Sequence, residues 1–428
     1  MKRTAIAVFF LIIATGCSTD ATGPPPPPTP TQIPTADPSP AASEQATPPS
    51  GIGGEVVIWL DWTPNEMGGL AEAIEVFRTR HPDINFSIGY RPGRSLYDDF
   101  VGAGDTSEKP TILLGPSTWG PTLMEDGLIM DLSDYVDSEL ERSILPLAWS
   151  QTGDRRAVLA VPLELHGMVL YRNTGLISEP VRDVDGLIRR ANKQRDLTGM
   201  IMPLDFGFFN SAAYFAACNG SLFAPTGDLS ISTEAGICWL ELLNEISQAG
   251  RVVFNEDVDR SMFEEGTSGW FIAESYMLSQ LSTSLGEENL AVDRWPVYTK
   301  SNRSLAGFVW TENAYLVSGS SNVDLEASWG FMRFLLTPEA QEILSNPDGA
   351  AHLPVIYNIQ ISDRLKSEAL SAVQSGIPRP IRSDLDKYIQ PIENAIEDFV
   401  VMGADLQISI DVALMKIEDS LSVDTSSN

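Results

Sequence analysis

From about residue 55 onward, short apolar runs alternate with amphipathic stretches. The first run, Glu55–Leu60, is typical of a strand in a parallel sheet that is covered on both faces. Apolar residues then recur at helical spacing over Glu66–Arg80, and Ile84–Tyr90 is again a strand pattern. This strand–helix–strand order predicts an α/β fold.

The run Val158–Ile177 is the stretch around which the rest of the chain is organised. It begins as a buried strand, and we expect Pro162 to interrupt regular pairing because proline donates no ladder hydrogen bond. Glu164 and His166 place polar side chains inside an apolar segment, which resumes as a second strand, Met168–Tyr171. We interpret this run as the hinge strand of a two-lobed binding protein with its ligand in the adjacent cleft. A single long strand with one satisfied buried carboxylate is the alternative.

The alternation continues beyond this run, and roughly 370 residues after the N-terminal region are enough for two lobes. Further strands are expected at Thr111–Leu114, Gly199–Pro203, Gly269–Ala273, Leu290–Val297 and Phe308–Val317. Further helices are expected at Leu96–Gly102, Pro121–Gly127, Val184–Lys193, Ala212–Ala217, Ser232–Ala249, Val323–Leu336, Pro391–Met402 and Ile410–Leu421.

The N-terminus has the pattern of an export signal. Two basic residues precede an apolar stretch, Ala5–Ile13, that is too short to span a membrane. Ala14–Cys17 resembles the bacterial lipobox, which implies a lipoprotein signal peptide over residues 1–16 and acylation of Cys17. An ordinary signal peptide cut elsewhere is the alternative. Residues 17–54 are rich in Pro, Thr and Ser and are expected to form an extended tether.

Composition narrows the possible partners. The formal net charge of −30 argues against nucleic acid or an anionic membrane surface as a partner. With Cys17 acylated, Cys218 and Cys238 remain as an even pair in an oxidising compartment, and we expect a disulfide between them. Two free buried cysteines are the alternative.

The predicted strand ends share one chemistry, an aromatic ring, a hydrogen-bonding side chain, or both. Sugars need this mixture because their C–H faces stack on rings while their hydroxyls take polar partners. No Arg or Lys lies at these ends, which argues against a phosphorylated ligand. A lone histidine is more often structural, and we assign His81 and His352 to that class. The candidate ligand-binding residues are Asp61, Trp62, Glu66, Ser117, Trp119, Glu164, His166, Phe209, Glu274, Tyr276, Trp310 and Glu312.

Several segments, in their order and spacing, resemble the family of bacterial extracellular solute-binding lipoproteins that contains maltose-binding protein. They are Val57–Trp59, Phe77–Pro82, Ile112–Trp119, Leu159–Asn173, Gly266–Tyr276 and Leu335–Gln341. The resemblance implies a periplasmic-binding-protein-like fold of two lobes, each a mainly parallel sheet covered by helices. Lobe one would comprise residues 55–163 and 312–350, and lobe two residues 167–307 and 355–425. Three crossovers would form the hinge, near residues 162–167, 306–311 and 350–354.

The resemblance also implies a function. The protein would capture a mono- or oligosaccharide by hinge closure and deliver it to an ATP-binding-cassette (ABC) permease, as a monomer anchored by lipid on the extracytoplasmic side of the cell membrane. Tyr388 would be a further stacking residue, and Glu164 or His166 would be the hinge contact.

Two other functions stay open, a sensory or adhesive lipoprotein and a carbohydrate-active enzyme using two of Glu164, Glu274 and Glu312. Because no P-loop, GxSxG, HExxH or Cys/His cluster is present, we expect no catalytic residue, cofactor or metal.

Overall fold

The computed structural model of the chain describes residues 53–93, 95–104, 106, 109–153, 156–198, 202–254, 257–345 and 352–425. The signal peptide, Cys17 and nearly all of the predicted tether lie outside these residues. No helix within the described ranges has both the length and the apolar character needed to cross a membrane.

Strands and helices alternate along the described chain, as the apolar pattern predicts. The strands are β1 (Gly54–Leu60), β2 (Ile84–Tyr90), β3 (Ile112–Pro116), β4 (Val161–Asn173), β5 (Met202–Asp205), β6 (Gly250–Val253), β7 (Trp270–Glu274), β8 (Leu290–Asp293), β9 (Val297–Tyr298), β10 (Arg303–Ser304), β11 (Phe308–Leu316) and β12 (Ile377–Pro378). The helices are α1 (Pro64–Arg80), α2 (Ser95–Ala103), α3 (Gly120–Glu125), α4 (Ser138–Ser143), α5 (Pro146–Trp149), α6 (Val184–Thr198), α7 (Phe208–Ser211), α8 (Glu234–Ile246), α9 (Val258–Glu264), α10 (Leu278–Leu285), α11 (Asn322–Leu335), α12 (Pro338–Leu344), α13 (Arg364–Val373), α14 (Asp386–Ile396) and α15 (Leu406–Thr425).

One large sheet runs through the molecule in the order β2-β1-β3-β11-β4-β7, with β12 paired to β11 and β8 paired to β4. Parallel pairing holds β1 to β2 and β3, and it joins β5 to β6 in a separate small sheet. The two long strands in the middle, β4 and β11, pair antiparallel with each other, and β4 also pairs antiparallel with β7 and β8. The mainly parallel sheet expected of each lobe is therefore seen beside β1, whereas the pairs made by β4 are antiparallel.

The predicted hinge run forms a single 13-residue strand, β4, in which every residue is buried. The prediction of a separate second strand, Met168–Tyr171, is therefore wrong, because pairing with β11 and β7 keeps the run extended throughout. The expected interruption at Pro162 appears only as a register shift in the ladder. Glu312 pairs with Glu164, whereas its neighbour Asn313 pairs with Pro162. Leu163 is thus left without a partner residue on β11, which is the pattern of a β-bulge. A bridge between Leu165 and Leu353 brings the segment of the third predicted crossover alongside β4.

Two large hydrophobic cores lie on either side of this central pair. The first contains residues of β1, α1, β3 and α11, such as Ile58 and Phe331, and extends to α13. The second contains residues of β5, α8, α14 and α15, such as Leu204 and Trp239. The first core also includes residues of β7 and β8, such as Phe271 and Val292, so the division into two cores follows the two faces of the β4–β11 pair, and the lobe boundaries stay a prediction.

Several elements differ in detail from the sequence-based expectation. Ala212–Cys218 is a 3₁₀ helix, and the strand expected over Leu290–Val297 ends at Asp293 before β9 begins. Helix α14 begins at Asp386 and carries Pro391 in its interior, so this proline does not start the helix. The expected disulfide is present, because Cys218 at the end of the 3₁₀ helix is bonded to Cys238 in α8.

Candidate functional site

Four candidate side chains lie on one face of the β4–β11 pair. His166 stands directly opposite Trp310, and Glu164 stands directly opposite Glu312. Side chains two residues apart point to the same side of a strand, so these four form one patch. Leu165, between them, points to the opposite side and belongs to the first core.

A group of acidic, aromatic and imidazole side chains surrounds the Glu164 end of this patch, and we call it the hinge cluster. Its members are Asp61, Trp62, Glu66, Glu164, His166, Glu312 and His352. The Glu164 Oε2 atom lies 3.0 Å from His352 Nε2 and 3.4 Å from His166 Nε2. The Glu66 Oε1 atom lies 3.6 Å from the same His352 nitrogen.

The start of helix α1 places Glu66 in this cluster. Thr63 caps the helix, Pro64 occupies its first turn, and Glu66 stands at the third position. The Glu66 Oε2 atom accepts a hydrogen bond from the Thr63 backbone N–H at 2.6 Å, and the Glu66 N–H donates to Thr63 Oγ1. This capping box holds one carboxylate oxygen and leaves the other directed toward His352.

Trp62 lies inside the cluster and not on its surface. The indole is 4 % exposed and packs edge-on against the His352 ring, with 4.5 Å between ring centroids. It also interacts with the Glu312 carboxyl through a side-chain hydrogen bond. Trp62 therefore has little free ring face for a ligand. Its neighbour Asp61 is exposed at the end of β1.

The pKa values of Glu312 and Glu66 are shifted in opposite directions by their surroundings. Burial raises the pKa of Glu312 well above its usual range, and the charges of Asp61, Glu164 and Glu66 raise it further. Burial also acts to raise the pKa of Glu66, but its contacts with the His352 ring and the Thr63 cap outweigh that effect and lower the pKa to about 2. Glu312 consequently holds its proton more tightly than Glu66, which is ionised at neutral pH.

A row of rings and one guanidinium extends from the cluster along the same patch. We call it the aromatic row; its members are Tyr276, His166, Trp310, Arg379 and Phe209. His166 lies edge-on to Tyr276 at 5.7 Å and stacks against Trp310 at 5.8 Å. The Arg379 guanidinium lies 4.1 Å from the centre of the Phe209 ring and 6.0 Å from that of Trp310.

Sequence reasoning missed Arg379 and its neighbour Arg382. They follow β12, a two-residue strand that is defined by its pairing with β11 and has no apolar pattern of its own. Arg382 lies over the rings of Phe223 and Tyr388 at 4.4 and 4.7 Å, and it donates a hydrogen bond to the Tyr388 hydroxyl. No arginine or lysine stands among the candidates at the predicted strand ends, whereas the fold brings two arginines to the candidate site from a different segment.

Two adjoining hollows flank these arginines. The larger, about 690 Å³, is lined by α3, the segment around Gln151, the loop at Phe223 and the chain after β12. The smaller, about 330 Å³, is lined by Trp119 together with Asp386 and other residues. Both hollows include Arg379 and Arg382 in their walls. Their sizes fall in the range of small-molecule sites.

The remaining candidates are spread around these features. Trp119 lies so close over Gly115 that a β-carbon there would be 2.2 Å from the indole, so only glycine permits this placement. Ser117 is buried and donates a hydrogen bond to Gln151 at 3.1 Å. Tyr388 is buried in the second core under Arg382.

Glu274 closes β7 and interacts with Tyr276. The fold thus joins Asp61, Trp62, Glu66, Glu164, His166 and Glu312 in the hinge cluster and Phe209, Tyr276 and Trp310 in the aromatic row, with Ser117, Trp119 and Tyr388 apart from both.

Comparison with known proteins assigns the family. Residues 72–373 match the family model of bacterial extracellular solute-binding proteins. The chain belongs to this family. Over 164 residues it is 24 % identical to the maltotriose-binding protein of Pyrococcus abyssi, a match that covers 37 % of this chain and 36 % of that relative. The chain thus matches only about a third of the length of this curated relative.

Solved structures of low sequence identity share the fold over most of the chain. The GacH receptor of Streptomyces glaucescens, solved unliganded and with acarbose, has a TM-score of 0.68 at 18 % identity and covers 87 % of this chain and 98 % of its own. The cyclic α-maltosyl-1,6-maltose binding protein of Arthrobacter globiformis has a TM-score of 0.75 at 16 % identity, with coverage of 85 % and 98 %. The maltose/maltodextrin-binding domain of Bdellovibrio bacteriovorus, bound to maltotriose, scores 0.66 at 17 % identity, with coverage of 86 % and 100 %. These similarities establish the two-lobed fold of this solute-binding protein.

Proposed function

We propose that this solute-binding protein captures a carbohydrate between the aromatic row and the two hollows that Arg379 and Arg382 line. The observation that carries the proposal is the aromatic row, in which ring faces alternate with hydrogen-bonding groups along one side of the central strand pair. Rings and polar groups in fixed positions are what a sugar requires. The ligand-binding roles proposed from the sequence for Phe209, Tyr276 and Trp310 are part of this proposal.

The relatives point to one class of sugar. The curated relative is named for maltotriose, and the solved structures carry acarbose or maltotriose or are named for a cyclic maltosyl sugar. A short α-linked glucose oligomer is therefore the first ligand to test. Three segments, at β4, at the start of β11 and at Leu353, would form the hinge around which the lobes close.

The cellular role extends the proposal. The protein would be a monomer anchored through acylated Cys17, which lies outside the described residues. It would present the bound sugar to an ABC permease on the extracytoplasmic side of the membrane. Impaired uptake of labelled sugar by cells that lack the protein would support this role, and normal uptake would count against it.

Binding can be tested by titrating the purified protein with maltotriose, a polyol and a polyamine, using calorimetry and intrinsic tryptophan fluorescence. We expect saturable binding of maltotriose at micromolar concentration. Trp310→Ala should weaken it roughly tenfold or more, since losing a stacking face costs on the order of 1 kcal/mol or more. Trp329→Ala is the matched control, because Trp329 packs on Tyr135 away from the row.

Each other outcome has a defined meaning. If only the polyamine gives a heat of binding in the calorimeter, the ligand is a cation and not a sugar. If Trp310→Ala and Trp329→Ala weaken maltotriose binding equally, the ligand does not bind at the aromatic row. Disappearance of maltotriose from the mixture, followed by chromatography, would restore the enzyme hypothesis based on Glu164, Glu274 and Glu312.

A further inference from the structure

We propose that Glu66, Glu164 and His352 form a binding site for one divalent transition-metal ion of the Zn²⁺ class. This site goes beyond the proposed carbohydrate function. It also departs from the sequence-based expectation, in which no metal was foreseen and His352 was a structural residue. Its three donors come from helix α1, from strand β4 and from the third predicted crossover.

The spacing of the donor atoms fits a small coordination sphere. One carboxylate oxygen from each glutamate and a ring nitrogen of His352 all lie within 4.8 Å of one another. The His352 Nε2 atom is 3.0 Å from Glu164 Oε2 and 3.6 Å from Glu66 Oε1. In a tetrahedral site with bonds of about 2.0–2.1 Å, neighbouring donors are about 3.3 Å apart. A metal ion would therefore need only small side-chain adjustments.

His352 supplies an independent indication of a ligand. The residue is 1 % exposed, and neither of its ring nitrogens makes a hydrogen bond to any residue that the structure describes. Buried polar groups normally make a hydrogen bond, so a buried imidazole nitrogen that lies 3.0 Å from one carboxylate oxygen and 3.6 Å from another without hydrogen-bond geometry needs an explanation. Coordination through Nε2 would satisfy the nitrogen that faces both glutamates.

The surroundings leave both carboxylates available. The capping box occupies only Oε2 of Glu66, and it is Oε1 that approaches His352. The ammonium group of Lys366, which lies near Glu164, donates a hydrogen bond to the Ser345 carbonyl at 2.7 Å. A divalent cation would balance the negative charge of the carboxylates that bind it, which is the compensation that buried charges require.

The donor set selects the class of metal. Imidazole is a good ligand for Zn²⁺, Co²⁺ and Ni²⁺, whereas Ca²⁺ and Mg²⁺ prefer oxygen ligands only and more of them. Three protein ligands leave one position for water or another group. His166 contacts the same oxygen of Glu164 but is not one of the three mutually close donors.

The site can be tested by calorimetric titration of the untagged, metal-free protein with Zn²⁺, and with Co²⁺ as a spectroscopic probe. We expect one Zn²⁺ per chain, a visible d–d band with Co²⁺, and no comparable binding of Ca²⁺ or Mg²⁺. His352→Gln and Glu66→Gln should each weaken Zn²⁺ binding at least about 10- to 100-fold, since even changes behind the ligands cost that much.

Two control variants separate this site from adventitious binding. His81→Gln removes the histidine that packs on Phe77, outside the hinge cluster, and Glu72→Gln removes an exposed carboxylate on the same helix as Glu66. Both should bind Zn²⁺ as the unaltered protein does. Circular dichroism would show that His352→Gln is folded, and Glu66→Gln repeats the test at a less buried ligand.

Unaltered Zn²⁺ binding by His352→Gln, or equal losses in His352→Gln and His81→Gln, would overturn the assignment. Absence of Zn²⁺ binding to the unaltered protein would do the same. The maltotriose titration is carried out with a chelator present, so it measures sugar binding in the absence of metal. Either proposal can therefore fail without the other.

Discussion

The buried ion pair between Arg172 on β4 and Asp293 on β8 gives a sharp stability prediction. The Arg172 Nε atom lies 3.0 and 2.8 Å from the two Asp293 carboxylate oxygens, and Nη1 donates to the Ile177 carbonyl at 2.7 Å. Their side chains are only 7 % and 4 % exposed. Burial raises the pKa of Asp293 even though the Arg172 guanidinium acts to lower it. Because burying two charges costs free energy that their attraction must offset, the pair is not expected to be a net source of stability.

Removing one partner of the ion pair should lower the free energy of unfolding far more than replacing both partners. Asp293→Leu leaves a buried guanidinium without its counter-ion and should cost about 3–5 kcal/mol. The double variant Arg172→Met/Asp293→Leu should regain most of that loss and lie within about 1–2 kcal/mol of the unaltered protein. Arg172→Met, which leaves Asp293 without its counter-ion, should cost a similar amount, so the coupling energy in the double-mutant cycle is about 4 kcal/mol or more.

Urea unfolding at pH 7, followed by far-UV circular dichroism, measures these free energies of unfolding. The exposed pair Arg78–Glu75 on α1 is the control, since Glu75→Gln should change stability by no more than about 0.5 kcal/mol. A loss below about 1 kcal/mol in Asp293→Leu, or a double variant as unstable as the sum of the single changes, would refute the reasoning.

Three further predictions concern other parts of the fold. Burial, aided by the Asp205 charge, raises the pKa of Asp259 to about 6, so its ionised form destabilises the folded state above that pH and not below about pH 4. Asp259→Asn should therefore raise the free energy of unfolding at pH 7.5 by roughly 1–3 kcal/mol and leave it unchanged at pH 4. Thermal melts at the two pH values would show this as a higher melting temperature at pH 7.5 only. Gly307→Ala would place a β-carbon 2.1 Å from a carbonyl oxygen of β4 and should cost about 1–3 kcal/mol in urea unfolding. Replacing Cys218 and Cys238 together by Ala opens a disulfide between residues 20 positions apart and should cost about 3 kcal/mol, again measured by urea unfolding.

The apolar pattern sufficed to predict the α/β fold and its central strand. An apolar run of 20 residues with Glu164 and His166 in its middle is unusual, and the fold places both side chains on the patch at the centre of the candidate site. The exact pairing of this run could not be predicted, because it depends on β11, about 150 residues away. The bulge beside Pro162 appears only when Glu312 and Asn313 are seen in register with β4.

The parts of the site that sequence reasoning missed come from segments without a periodic signal. His352 directly precedes the isolated bridge at Leu353, and nothing near it in the sequence marks it as different from His81. Arg379 follows a two-residue strand that no local pattern would reveal. For Trp62 the local pattern misleads. The residue follows a strand end, as a ligand-binding ring would, but tertiary packing buries it against His352.

The charges around the aromatic row bear on what kind of ligand it can hold. Asp61 and the glutamates of the hinge cluster lie toward one end, and Arg379 lies over the rings toward the other, with Trp310 between His166 and Arg379. An anion would gain from the arginine but be repelled by the carboxylates, and a cation would meet the reverse. A neutral polyhydroxyl compound can donate hydrogen bonds to carboxylates and accept them from a guanidinium along its length. The polarity of the row therefore favours a neutral sugar over either charged ligand, for a reason independent of the ligands of the relatives.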